Sequence, residues 1–80
     1  MMGQAADSTR RFSVHARHDS HRNRLVEEAS FEAAAVAYVE DFHPAVDENN
    51  EVSVIVRDLD DGREHCFRID LDSGDTQPCG

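Results

Sequence analysis

The stretch Val52-Ser53-Val54-Ile55-Val56-Arg57-Asp58-Leu59-Asp60-Asp61-Gly62-Arg63-Glu64-His65-Cys66-Phe67-Arg68-Ile69-Asp70-Leu71 decides how this chain folds. Val52, Val54 and Val56 alternate with Ser53, Ile55 and Arg57, the period of a strand with one apolar face. His65, Phe67, Ile69 and Leu71 alternate in the same way with Cys66, Arg68 and Asp70. Between them, Asp61-Gly62 is a preferred pair for a two-residue type I′ turn. Closing that turn on Asp60 and Arg63 sets Val56 opposite Phe67, Val54 opposite Ile69 and Val52 opposite Leu71. Turn chemistry and apolar parity then agree on one antiparallel hairpin.

Upstream, Phe31, Ala34, Ala35, Tyr38, Val39 and Phe42 fall on one face of a helix of about 12 residues. Ser30 is placed to cap its start, and Pro44 follows its end, where a helix does not easily continue. Phe12, Val14 and Ala16 alternate with Ser13, His15 and Arg17, which predicts a further strand. Leu25 to Ala29 reads as a short extended segment, with a pre-helical turn as the alternative. The expected fold class is α+β: a three-stranded antiparallel sheet in the order β-α-β-β, with one amphipathic helix packed on one face. A short extra strand before the helix is the variant of this plan. The core expected is Phe12, Val14, Phe31, Ala34, Ala35, Tyr38, Val39, Phe42, Val52, Val54, Val56, Phe67, Ile69 and Leu71. Residues 1–10 read as a disordered tail, 11–72 as the single domain and 73–80 as a loose C-terminal tail. No internal repeat is read in the chain.

Eighty residues make one small domain, which buries only roughly 60% of its unfolded surface. That size argues against a self-contained enzyme. The chain holds 8 basic and 17 acidic residues, a net charge of −9. Residues 31–80 carry three arginines against thirteen acids, which disfavours nucleic acid and anionic membranes as partners. No run approaches the roughly 20 apolar residues of a membrane span, and the first residues lack a signal-peptide pattern. The expected location is the cytoplasm, with Cys66 and Cys79 as free thiols.

Ser30 to Ala35, Val54 to Asp58, and His65 to Leu71 with the terminal Pro78-Cys79 resemble a family of short uncharacterised bacterial proteins carrying a domain of unknown function. The resemblance covers roughly residues 11–79. It implies one compact domain and carries no activity, cofactor or catalytic residue.

Several constellations invite chemistry. His15, His18 and His21 recur every third residue, and His43, His65 and the cysteines complete the soft ligands of a possible metal or redox sensor. Zinc needs three or four such groups at fixed geometry, whereas this spacing crosses a strand-to-loop boundary. The plainer reading is polar loop histidines, with no cofactor and no metal. Adjacent strand residues point to opposite faces, so His65 cannot activate Cys66. Cys66 is instead expected opposite Arg57. The acidic pairs Asp60-Asp61 and Glu40-Asp41 would need a pocket to act as acid and base. Asp58 to Gly62 has the start of a calcium loop but lacks its twelfth-position acid, since Ile69 stands there.

The outer sheet face is the more informative surface. Parity places His15, Arg17, Ile55, Arg57, Cys66 and Arg68 on it together. One reading is simple solvation, with pairs such as Arg68 and Asp70. The other is a docking face for an acidic protein partner or for a second copy in a homodimer. A non-enzymatic interaction module is therefore the leading expectation. A nucleic-acid-associated regulator, using Arg10, Arg11, Arg17, Arg22 and Arg24, ranks third.

Overall fold

The structure, a computed structural model, describes residues 9–19, 21–42, 46 and 48–79. The chain runs through β1 (Arg10–Ala16), β2 (Arg24–Glu28), α1 (Phe31–Phe42), β3 (Glu51–Asp58), β4 (Glu64–Asp70) and β5 (Thr76–Pro78). The strands form one five-stranded antiparallel sheet in the order β2-β1-β3-β4-β5. This corrects the three-stranded expectation. The helix carries the chain from β2 across one face of the sheet to the far side of β1. The remaining strands follow as a meander.

Local signals account for the helix. The Ser30 hydroxyl accepts a hydrogen bond from the Ala33 N–H at 3.1 Å, satisfying one of the free donors of the first turn. Glu32 adds a favourable negative charge there. Ala34 and Ala35 are fully buried, so their small side chains let the helix approach the sheet closely. Beneath it lie Phe12, Val14, Val54 and Val56, all without exposed surface, with Val52 and Ile69 nearly so. Phe31 packs against Phe12 with ring centroids 5.0 Å apart and meets the edge of His65 at 4.4 Å.

Phe31 and Phe67 are half-buried and flank the core rather than form it. Phe42 and Leu71, both expected inside, are exposed. Glu40, Asp41 and Phe42 make an exposed last turn. Phe42 there receives the Arg24 guanidinium over its ring at 4.3 Å.

The exposure of Leu71 follows from the hairpin register. Val52 pairs with Ile69, Val54 with Phe67 and Val56 with His65. Every β4 partner is thus two residues from the expected one. An even shift leaves each side chain on its expected face, so parity holds although the pairing does not. The loop is longer than a two-residue turn. The Asp58 N–H donates to the Arg63 carbonyl at 2.8 Å, and the Gly62 N–H donates to the Asp58 carbonyl at 2.8 Å. Asp58 Oδ1 accepts from the Asp60 N–H at 2.8 Å. With this side-chain turn in place, only Gly62 takes positive φ, at 80°, and Asp61 does not.

The same pattern recurs at Asp70-Leu71-Asp72-Ser73-Gly74-Asp75, a repeat that the reading of the sequence passed over. The Asp70 N–H donates to the Asp75 carbonyl at 2.9 Å, and the Gly74 N–H to the Asp70 carbonyl at 2.7 Å. Asp70 Oδ1 accepts from the Asp72 N–H at 2.8 Å, and Gly74 has φ 81°. The Leu59 N–H donates to the Arg11 carbonyl of β1 at 3.1 Å, and the Leu71 N–H to the carbonyl of Asn50, just before β3, at 3.0 Å. In each loop the aspartate opens the turn while the leucine backbone extends the older ladder. Gly62→Val and Gly74→Val are each expected to cost more than about 1 kcal/mol, because a branched side chain is strained at positive φ. The two losses should add, the loops being separate. An unchanged urea midpoint for either variant would show that its loop tolerates another conformation.

The second loop leads into β5, so the segment read as a loose tail belongs to the sheet. Cys66 and Cys79 form a disulfide with a Cα separation of 5.2 Å, well within the usual range. This overturns the reading of free thiols. The strand start at Arg10 likewise lies inside the segment read as a tail. The rest of that reading, residues 1–8, and the helix-ending role of Pro44 lie outside the described residues.

Candidate functional site

The uncovered sheet face is built by strand alternation. In β1 the outward residues are Arg11, Ser13 and His15, with Arg17 just beyond the strand. In β3 they are Glu51, Ser53, Ile55 and Arg57, and in β4 Glu64, Cys66, Arg68 and Asp70. Register then aligns them across strands. His15 stands beside Ile55, and Ile55 beside Cys66, which is bonded to Cys79. Ser53 lies between Arg17, whose N–H donates to the Ser53 carbonyl at 2.8 Å, and Arg68, which faces Gln77 of β5. Arg57 sits between Ser13 and Glu64.

The six residues selected from sequence parity therefore share this face. Cys66 faces Ile55 rather than Arg57, a consequence of the two-residue register shift. Arg17, Arg57 and Arg68 are exposed, while His15, Ile55 and Cys66 are half-buried. Among the described residues the ion pairs belong to Arg10, Arg22 and Arg63. The pairing of Arg68 with Asp70 does not form. The Asp70 carboxylate is engaged instead in its own turn, accepting from the Asp72 and Ser73 N–H groups at 2.8 and 3.4 Å.

Leu25 is a member of this face that parity alone did not select. It is 65% exposed and pairs with Ser13. Finding it required the β1–β2 register, because Leu25 and Val26 are adjacent and only one can face the core. Val26 takes that place. Arg11 is also on the face, opposite Glu27, and its phase relative to Phe12 was readable from sequence.

The other constellations do not assemble. His18 and His21 lie exposed at the β1–β2 connection, and His43 falls outside the described residues. Among the described residues no group of three or more histidine, cysteine or acidic side chains is placed to hold a metal ion. His65 is on the helix side, against Phe31, and apart from the cysteines. No helix among the described residues is long and apolar enough to cross a membrane.

The sheet's edges are guarded in ordinary ways. β2 presents Arg24, Glu27 and Glu28, and β5 is short and carries Pro78. The bonds from the Asp70 N–H to Asp75 and from the Cys79 N–H to Cys66 set the alternation. Pro78 falls at a position whose missing N–H would point away from β4.

A model of a family described as of unknown function, DUF5961, matches residues 10–80. No curated protein and no solved structure matches the chain.

Proposed function

We propose a non-enzymatic binding role for this chain, which belongs to the family of unknown function DUF5961: its open sheet face takes a protein partner through that partner's carboxylates. The observation that carries this reading is the state of Arg17, Arg57 and Arg68. All three are exposed on one face and form no ion pair among the described residues, in a chain with 17 acids to 8 arginines. Acids are abundant, Glu64 beside Arg57 included, yet none forms an ion pair with these three arginines among the described residues. Guanidinium groups left in this state suit carboxylates arriving from outside. Ile55, Leu25 and the disulfide supply apolar surface between the charges.

The test uses a polyglutamate peptide as probe, with the Arg57→Ser/Arg68→Ser double variant. The variant should keep its thermal transition within a few degrees of the parent, since exposed charges contribute little to stability. Its affinity for the peptide should fall at least about tenfold, equivalent to roughly 1.4 kcal/mol, and the parent's binding should weaken with salt. Equal binding by parent and variant would overturn the reading. Tighter binding to a single-stranded oligonucleotide than to the peptide would replace it with a nucleic-acid role. A dimer that the double variant converts to monomer would make the partner a second copy.

A further inference from the structure

We propose that the Cys66–Cys79 disulfide is a reversible latch on β5, so that reduction releases β5 and makes β4 the edge of the sheet. β5 has three residues, Thr76–Pro78, of which Gln77 and Pro78 are exposed and Thr76 half-buried. It pairs with β4 alone, at the end of the strand order. None of its side chains belongs to the core, and the helix lies against β1, β2, β3 and β4. A strand so short, with no buried apolar side chain, has little beyond its ladder bonds to hold it.

The disulfide supplies the missing restraint. It joins residues 13 apart in sequence and sits at the far end of β5 from the Asp70–Asp75 turn. β5 is therefore fixed at both ends while oxidised and at one end when reduced. Both cysteines are half-buried on the open face, within reach of a reductant. The step is ordinary thiol–disulfide exchange. A thiolate of a dithiol reductant attacks one sulfur, and the other cysteine leaves as a thiolate and takes up a proton. The reductant's second thiol then resolves the mixed disulfide. Two electrons pass to the protein, the reductant becomes a disulfide, and Cys66 and Cys79 become thiols. Release exposes the β4 backbone groups that faced β5, those of Arg68 among them, and removes Gln77 from beside Arg68. The latch lies on the open face but operates whatever that face binds.

Amide hydrogen exchange followed by NMR tests this on the whole chain, oxidised and in dithiothreitol. The Arg68 and Cys79 amides report on β5, and the Val54 and Val56 amides report on the core. On reduction, exchange at Arg68 and Cys79 should accelerate about 100-fold, the scale expected for losing a loop closure of this length. Val54 and Val56 should change by less than about threefold, and oxidised glutathione should restore the original rates. The Cys66→Ser/Cys79→Ser variant should reproduce the reduced pattern without reductant. Unchanged rates at Arg68 and Cys79 would overturn the proposal. So would equal acceleration at all four amides, which would make the disulfide a staple for the whole fold.

Discussion

Replacing Arg10 by alanine should cost this small domain about 3 kcal/mol, although the residue stands at the very start of its first strand. The reason is Asp58, whose side chain has no exposed surface. Its Oδ1 accepts the Asp60 N–H, but its Oδ2 has no hydrogen-bond partner among the described residues. The Arg10 guanidinium stands 2.9 Å from Oδ2, out of hydrogen-bond alignment, and also lies 3.6 Å from Asp61. Removing the arginine leaves a buried carboxylate without a countercharge. The figure is at the lower end for a buried pair because Arg10 is itself 43% exposed and water reaches it.

Asp58→Asn retains the oxygen that closes the turn and removes the charge, so its cost should be smaller. Adding Asp58→Asn to Arg10→Ala should recover part of the loss, giving a coupling of at least about 1 kcal/mol in a double-mutant cycle. Urea unfolding of the four proteins reads all of these quantities. Simple additivity would show that the carboxylate gains nothing from Arg10.

Phe12→Ala should be more damaging, at about 3–5 kcal/mol. Phe12 is fully buried within β1, with Val26 and Asp58 as its cross-strand neighbours and the Phe31 ring packed against it at a tilt of 58°. Removing the ring loses burial and leaves a cavity where the helix meets the sheet. Total stability for a domain of this size is on the order of 5 kcal/mol, so the variant should be largely unfolded at room temperature. Phe67→Ala should cost distinctly less, because Phe67 is half-buried and lies at the edge of the core. A thermal transition for Phe12→Ala above that of Phe67→Ala would contradict this ordering. The contrast matters because Phe67 and Phe12 look equivalent in sequence: each is the aromatic member of an alternating strand. Their difference arises from their neighbours, since β1 and β4 each stand one strand from an edge: Phe12 lies beneath Phe31 of the helix with Val26 of β2 beside it, whereas Phe67 has only Pro78 of the three-residue β5 on its outer side.

The candidate face shows where reading a sequence succeeds. Strand alternation has period two, and each strand carries its own apolar markers. Val14, Val54 and Phe67 thus assign Arg17, Arg57 and Arg68 to the opposite side before any pairing is known. A register wrong by two residues does not disturb that assignment. The neighbours were less legible. Cys66 beside Ile55, Leu25 beside Ser13 and Arg68 beside Gln77 depend on pairing, and pairing depends on loop length. An Asp-Gly pair suggested the shortest loop, but the Asp58 side chain closes a longer one.

From the sequence alone came the helix over Phe31–Phe42 with its Ser30 cap, the two faces of β1, β3 and β4, and most of the core. These features are set by contacts within a few residues or by a period that every strand repeats for itself. Only the tertiary structure decided that β2 and β5 complete the sheet, that Leu71 and Phe42 are exposed, and that Cys66 joins Cys79. It also decided that Arg10 guards Asp58. Arg24–Glu28 overlaps the segment read as short and extended, and it becomes an edge strand because β1 offers it a partner; Thr76–Pro78 has too few apolar residues to announce itself and becomes a strand beside β4. Cys66–Cys79 and Arg10–Asp58 join residues far apart in the chain, and their meeting follows from register, which no local pattern encodes.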